Sequence, residues 1–315
     1  LLVAFIGITL LATGTLSAYT INTTTNALRV SLERELSAVA VSHATQIGDL
    51  FNEQINNLTT LSLNETLQQA VKDQNQAYTG NATAIQAEID AKDAQWQAAD
   101  KANNNADPLV REHLTSPAAL DLTEYQTAFP DNAEVFITDV HGGLVGSTNR
   151  TSDYNQADEA WWQAAYNNNK GGVYIGNPEF DESAGKLGIQ FALPLLDRDT
   201  HKIIGILRTT YILTPLAAIL TQDVGETSSA DIFIPAQADS HIHEGLLEPI
   251  DPQVFEQLQA VASQGMAEIN YEGALSVVTQ ARINSRDGNP AVENLGWIVV
   301  FHQNRAEAFA PVNER

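Results

Sequence analysis

The sequence predicts an α+β fold in which a long N-terminal helix is followed by two tandem antiparallel-sheet modules. Apolar residues recur at three-, four- and seven-residue steps over residues 19–61 without a proline, which is typical of a long amphipathic helix. Short β-type segments separated by turn residues follow residue 133, and a second such series follows residue 230. The length of 315 residues exceeds one ordinary domain and also favours two modules.

The first part of the chain, residues 1–18, is apolar or small throughout, and no charged side chain precedes Arg29. Such a run predicts a transmembrane helix or a signal anchor, because a membrane span needs about 20 apolar residues. A cleaved signal peptide ending near Ala18 is the alternative. Either interpretation places the chain from about residue 20 onward outside the cytoplasm, in the periplasm or the extracellular space.

The next part, residues 19–132, is expected to form a long stalk helix and a helical cover. Residues 84–102 are rich in alanine and polar side chains and predict a surface helix, and residues 109–129 predict another. The apolar stripe of the stalk could pair with a second copy, so we expect a homodimer. Packing of the stripe on the chain's own modules explains the pattern at least as well.

The first module is expected at residues 133–222, covered by the helices of residues 62–132. Hairpins are predicted at residues 134–148 and 186–213, because turn residues separate each pair of β-type segments. A short strand at Val173 would complete a five-stranded antiparallel sheet.

The second, smaller module is expected at residues 223–304. Its predicted strands cover residues 231–235, 266–271, 274–282 and 296–302. The stretch that contains His241 and His243 is predicted to be a loop. Helical spacing resumes at residues 305–315, which we expect to lead to a second membrane span.

The composition excludes several classes of function. A net charge of −23 with only 16 basic residues argues against nucleic acid as a partner, because a surface that follows phosphates needs clustered lysine and arginine. The absence of cysteine excludes disulfides and thiolate nucleophiles. The sequence has neither a nucleophile elbow nor a phosphate-binding loop motif. We therefore expect no catalytic residue and no cofactor. We also expect no metal, because the seven histidines lack the spacing that fixes a metal on one helix face. His241 and His243 could place two imidazoles on one side of a strand, but they lie in a stretch predicted to be a loop.

The most distinctive segment is the aromatic stretch of residues 154–174, which contains two of the four tryptophans of the chain. Large aromatic side chains with a polar end suit either a core or a ligand pocket. Asp158 and Glu159 precede the tryptophans, and a loop rich in asparagine and glycine follows them. Because cores rarely contain so many charges and turn formers, these neighbouring residues favour a pocket.

The order of these parts resembles the double Cache sensor region of bacterial and archaeal transmembrane receptors, such as chemoreceptors and sensor histidine kinases. The resemblance covers nearly the whole chain. Its most specific parts are the segments at residues 159–162, 205–213 and 296–303. It implies two PAS-like modules, a non-catalytic function in signal transduction, and a small-molecule ligand held in the membrane-distal first module, with the signal passed through the stalk helices.

The amino-acid-binding branch of that family has a motif that this sequence matches only in part. Tyr154, Trp161 and Tyr174 match it, and Trp162 stands at the second aromatic position. Glu159 falls where the family has an arginine that binds a carboxylate, and Thr210 falls where it has an aspartate that pairs with an ammonium.

Reversal of the charge at residue 159 implies that an α-amino acid is disfavoured as the ligand. An amine or a neutral solute is expected instead, held against the aromatic faces with Glu159 or Asp181 as counter-ion. The expected ligand-binding residues are Tyr154, Glu159, Trp161, Trp162, Tyr174, Asp181 and Thr210. Two other functions stay open: a membrane-anchored structural or adhesive surface protein, and a hydrolase built on Glu159, Asp181 and a metal.

Overall fold

The computed structural model describes residues 2–310 except 223, 226, 262–264 and 272, and it describes side chains from residue 23 onward except residue 25. Its first element is a single helix, α1 (Leu2–Leu61), about 90 Å long at 1.5 Å per residue. The membrane span expected at residues 1–18 falls on side chains outside the described part. Within the described part, no helix combines the length and the apolar character that crossing a membrane requires.

Four shorter helices follow α1 in the part of the chain where a helical cover is expected. They are α2 (Glu65–Ala77), α3 (Ala82–Lys101), α4 (Pro108–Thr115) and α5 (Pro117–Ala128). The sequence pattern predicted one helix over residues 109–129, but the structure has two. The side chain of Ser116 caps α5 by accepting a hydrogen bond from the Ala119 N–H, and Pro117 is its first residue. A serine cap followed by proline starts a new helix, because proline has no N–H to continue the old one.

The first sheet is antiparallel and has six strands, where five were expected. The strands are β1 (Asn132–Asp139), β2 (Leu144–Ser147), β3 (Tyr174–Ile175), β4 (Glu179–Asp181), β5 (Lys186–Leu196) and β6 (Ile203–Ile212). Their order is β2-β1-β6-β5-β3, with β4 also paired to β5. Helices α6 (Ala160–Tyr166) and α7 (Thr214–Leu220) complete this part, which we call the first module together with α2 to α5.

The second sheet is also antiparallel and six-stranded, in the order β10-β11-β12-β7-β8-β9. Its strands are β7 (Ser228–Phe233), β8 (Ser240–His243), β9 (Leu246–Pro249), β10 (Met266–Tyr271), β11 (Ala274–Arg282) and β12 (Ile298–Asn304). Helices α8 (Pro252–Ala260), α9 (Pro290–Glu293) and α10 (Arg305–Ala308) complete the second module.

Two expectations for the second module need correction or limitation. The predicted loop around His241 and His243 is wrong, because both residues belong to β8, which pairs with β7 through Asp231 and His243. The helix expected over residues 305–315 begins at Arg305, but residues 311–315 lie outside the described part.

Helix α1 packs against one face of each sheet, and this contact forms the largest core of the molecule. The helix approaches the second module so closely that a Cβ atom on Gly48 would lie 2.0 Å from the carbonyl oxygen of Asn284. Because side chains alternate along a strand, the other face of each sheet points away from α1. Separate clusters of buried side chains lie on those two faces.

Candidate functional site

A cavity of about 330 Å³ lies on the face of the first sheet that points away from α1. Its walls come from β1, β6, the start of α6 and the β4–β5 hairpin. The lining residues are Phe136, Thr151, Ser152, Gln156, Glu159, Trp161, Glu179, Phe180, Asp181, Glu182, Ser183, Gln190 and Arg208. We call it the Arg208 cavity, because that side chain organises the polar groups within it.

Arg208 lies on β6 directly opposite Phe136 of β1. Its guanidinium donates through Nη1 to Glu134 Oε2 at 2.8 Å and through Nη2 to Asp181 Oδ2 at 2.7 Å. The group also lies over the rings of Phe136 and Trp161, 5.0 and 5.4 Å from their centroids. Two carboxylates and two aromatic faces therefore hold one buried cation in a fixed orientation.

The third nitrogen of this guanidinium is not used by the described part of the protein. Arg208 Nε is buried and has no hydrogen-bond partner among the described residues. A buried donor without a partner costs free energy, and such a group commonly marks the position of a ligand or water atom. Arg208 is the cationic side chain among the lining residues and is therefore the group best suited to donate to an oxygen atom that enters the cavity.

The two carboxylates beside Arg208 differ in their ionisation. Burial raises the pKa of Glu134 to about 7, although the Arg208 guanidinium lowers it and the Asp181 carboxylate raises it further. Burial alone would also raise the pKa of Asp181, but Arg208 and a hydrogen bond from Thr210 outweigh burial and lower it to about 2. One cation thus stabilises Asp181 as the anion, and the deeper Glu134 binds a proton near neutral pH.

The mouth of the cavity is acidic. Glu159, Glu179 and Glu182 line it and are exposed. Gln190 donates a hydrogen bond to Glu179. The Arg208 guanidinium, paired with Asp181 and Glu134, therefore lies inside the cavity, and further carboxylates lie at its rim.

Four of the seven residues expected from the sequence meet at this cavity. Glu159, Trp161 and Asp181 line it. Thr210 lies behind it and donates through Oγ1 to Asp181 Oδ2 at 2.6 Å. A direct contribution of these four residues to ligand binding stays a prediction.

The other three expected residues lie outside the lining of the cavity. Tyr154 is fully buried and contacts the ring of Trp96, and its hydroxyl accepts a hydrogen bond from Gln74 at 2.9 Å. Trp162 donates through Nε1 to Thr138 Oγ1 at 2.9 Å. Tyr174 is half-buried on β3 and packs against the same cluster of apolar side chains. These three side chains contribute to the core that supports the cavity.

Arg208 and Glu134 were not among the residues expected from the sequence. A signal was present, because Arg208 is the one charged residue in the strand Ile203–Ile212. A charge within an otherwise buried strand requires buried partners, which predicts an ion-pair network. The sequence does not show where those partners are, since they lie 74 and 27 residues away along the chain.

Comparison with known proteins gives a likeness in structure only. The chain matches no protein-family model and no curated protein sequence. The ligand-binding domain of the Campylobacter jejuni chemoreceptor Tlp3, solved with L-norvaline, is 11% identical with a TM-score of 0.59, over 90% of this chain and 94% of that one.

Two Pseudomonas ligand-binding domains are similar to the same extent. That of the P. fluorescens chemoreceptor CtaA, solved with L-leucine, is 13% identical with a TM-score of 0.54, over 90% of this chain and 99% of that one. That of the P. aeruginosa amino acid chemoreceptor PctB, solved with L-Arg, is 15% identical with a TM-score of 0.54 and the same two coverages.

The preference for an amine or a neutral solute over an α-amino acid is wrong, because the ligands of these three domains are all α-amino acids. That preference assumed that Glu159 replaces the cation that faces the ligand. Glu159 instead lies exposed at the rim, and Arg208 of β6 supplies the guanidinium inside the cavity. With its long first helix and two antiparallel sheets, the chain has the double Cache fold of chemoreceptor ligand-binding domains, as the sequence resemblance implied.

Proposed function

We propose that this chain is the extracytoplasmic small-molecule sensing region of a transmembrane signalling receptor, and that it binds its ligand in the Arg208 cavity. The observation that supports this most is Arg208, a cation that lines a cavity with an acidic rim and whose buried Nε has no hydrogen-bond partner among the described residues. The volume of about 330 Å³ suits a small metabolite, since ligand pockets span about 300–1,000 Å³. The double Cache fold agrees with this function, which is non-catalytic.

The ligand class that fits best is a zwitterionic α-amino acid. Its carboxylate would accept a hydrogen bond from Arg208 Nε, a charge-assisted contact. Its ammonium would lie toward the acidic side of the cavity, near Glu179 or Glu159, and its side chain against Phe136 and Trp161. The amino acids bound by the structural neighbours favour the same class.

We propose that the first module is membrane-distal and the second membrane-proximal. The order of contacts along α1 supports this assignment. His43 packs against Phe301 of the second module, with ring centroids 6.5 Å apart. Phe51 lies farther from the N-terminus and packs against Phe191 of the first module, with centroids 5.5 Å apart. A membrane anchor at the N-terminus of α1 would therefore lie nearer to the second module.

A contact that joins α1 and α10 supports a route for the signal. Glu268 of β10 pairs through one oxygen with Arg29 of α1 at 3.9 Å and through the other with Arg305 of α10 at 2.6 Å. Ligand binding that changes the packing of the first module on α1 would shift α1 relative to α10. The size of that shift is limited by the difference in ligand affinity between the two states.

The experiment is isothermal titration of the full chain, in detergent or nanodiscs, with the twenty common amino acids. We expect at least one to bind. Its decarboxylated amine and its deaminated acid should each bind about tenfold more weakly or less, because each lacks one of the two charges. Saturable binding of the amine or the acid at undiminished affinity would contradict the proposed class.

The matched variants are Arg208→Lys and Arg198→Lys. Lysine keeps the positive charge between the two carboxylates but lacks Nε, so we expect Arg208→Lys to lose at least about tenfold in affinity while remaining folded. Arg198 is exposed in the β5–β6 turn of the same module and provides the control. Equal affinity of the two variants would contradict the assignment of the site.

A further inference from the structure

The second module carries a polar cluster on the face of its sheet that points away from α1. The cluster consists of Asp231 on β7, His241 and His243 on β8, Tyr271 on β10 and His302 on β12. The strand register places Asp231 directly opposite His243. Because side chains alternate along a strand, His241 projects from the same face as His243.

Three of these residues have the donor geometry of a metal site. One ligand atom each from Asp231, His241 and His243 lies within 4.8 Å of the other two. His243 Nδ1 and Asp231 Oδ1 are 2.6 Å apart. A tetrahedral ion with bonds of about 2.0–2.2 Å holds its ligand atoms about 3.3 Å apart, so small side-chain rotations bring the three atoms to that separation.

The neighbours of the cluster are arranged to hold these ligands in place. The other oxygen of Asp231, Oδ2, accepts a hydrogen bond from the Tyr271 hydroxyl at 2.5 Å and lies 3.3 Å from His302 Nε2. The ring of Phe233 stacks on His241 with an interplanar angle of 4°. Groups that orient the ligands from behind are a regular part of metal sites and contribute to metal affinity.

One side of the cluster is partly exposed to solvent, which gives an ion access to it. Asp231 and His241 are buried, with 0% and 4% of their surfaces exposed, whereas the His243 side chain is 21% exposed. A fourth coordination position on the His243 side would therefore face solvent. In zinc sites with three protein ligands, water or another small ligand takes the fourth position.

We propose that Asp231, His241 and His243 form a binding site for a divalent transition-metal ion of the zinc type in the second module. Two imidazoles and one carboxylate suit such an ion, whereas Mg²⁺ and Ca²⁺ require more oxygen ligands. The ion would connect β7 and β8. It would also lie beside His302 of β12, the strand that leads directly into α10. This inference does not depend on ligand binding in the Arg208 cavity.

The test is titration of the full chain with ZnCl₂ after chelator treatment and dialysis, followed by calorimetry. We expect one zinc ion per chain and no saturable binding of MgCl₂ or CaCl₂. His241→Gln and His243→Gln should each weaken zinc binding by at least about tenfold. The control is His201→Asn, which removes an exposed imidazole from the first module. Asparagine tolerates the positive φ of 55° at this position.

Cobalt substitution separates loss of the site from loss of the fold. The wild type and His201→Asn should show the visible absorption of tetrahedral Co²⁺, and the two glutamine variants should lack it while keeping their metal-free circular dichroism and melting temperature. Absence of saturable zinc binding in the wild type, or equal zinc affinity of His243→Gln and His201→Asn, would overturn the proposal. If both glutamine variants unfold, Asp231→Asn is measured in the same way, and unchanged zinc affinity in that variant also overturns the proposal.

Discussion

Phe51 of the long helix packs edge-on against Trp297 of the second module, with ring centroids 5.6 Å apart and an interplanar angle of 83°. The same ring meets Phe191 of the first module at 5.5 Å and 72°. Phe51 and Trp297 are both almost fully buried. A single aromatic side chain of α1 thus contacts both modules, so the stability of the two modules is linked through it.

Substitution of Phe51 should therefore destabilise the whole chain. We expect Phe51→Ala to lower the free energy of unfolding by about 3–5 kcal/mol, because a large buried ring is replaced by a cavity. The measurement is urea unfolding followed by tryptophan fluorescence. Phe180→Ala is the control, because Phe180 is 64% exposed. Equal midpoints for the two variants would show that Phe51 does not hold the modules to the helix.

Substitution of Gly48 by alanine should destabilise the protein, although the same substitution usually stabilises a helix. In an exposed helix, glycine to alanine stabilises by about 1 kcal/mol. Here the new Cβ atom would lie 2.0 Å from the backbone of Asn284, so Gly48→Ala should destabilise by about 1–3 kcal/mol. Ser42→Ala on the exposed side of the same helix serves as the control and should be neutral or slightly stabilising. A stabilised Gly48→Ala variant would contradict the close approach.

The raised pKa of Glu134 makes stability depend on pH. The folded state holds a proton on Glu134 up to about pH 7, whereas the unfolded chain releases it near the ordinary glutamate pKa of 4.5. Between these values the folded state binds more protons, so the free energy of unfolding falls as pH rises, by up to about 3 kcal/mol for this group. Glu134→Gln should remove this slope, because glutamine does not titrate.

The measurement is urea unfolding at pH values from 4 to 8, taken as the difference between the wild type and Glu134→Gln. The difference is needed because burial also raises the pKa of Asp153, to about 6, in part of the same range. Ionisation of Asp181 changes the free energy of unfolding with pH in the opposite direction. Its pKa is lowered to about 2, so its stabilisation is lost only as pH falls from 3.8 toward 2, outside this window. Parallel profiles for the two proteins would refute the role of Glu134.

Substitutions of the two adjacent tryptophans should affect different properties, one the ligand affinity and the other the stability. Trp161 lines the Arg208 cavity, whereas Trp162 donates its Nε1–H to Thr138 and stacks on Tyr166. Trp161→Ala should weaken binding of the amino acid found by titration by at least about tenfold. Trp162→Phe should lower the melting temperature and leave the affinity within about twofold. Calorimetry and thermal unfolding of both variants test this prediction, and the reverse pattern would contradict it.

The fold was largely predictable because it depends on periodicity. The period of three to four residues along α1 ends at Leu61, and the alternating segments at Met266–Tyr271 and Ala274–Arg282 are strands with those bounds. The stretch around His241 escaped prediction, since its polar side chains gave no apolar alternation. Pairing with β7, rather than local preference, makes it a strand.

The site was less predictable for two physical reasons. Consecutive residues of a helix point about 100° apart, and here Trp161 lines the cavity whereas Trp162 donates to Thr138. Composition identified the aromatic stretch but not which of its side chains faces the cavity. The polar centre depends on contacts between Arg208, Glu134 and Asp181, which are distant in sequence and adjacent only in the sheet.

Glu268 forms ion pairs with Arg29 of α1 and with Arg305 of α10, the two helices that extend from the second module. The side chains of these arginines are 52% and 47% exposed, so each ion pair contributes little free energy and is screened by dissolved ions. Dissolved salt weakens these two exposed ion pairs directly. Higher ionic strength therefore loosens, by a small amount, the connection that Glu268 makes between α1 and α10, even when the cavity holds no ligand.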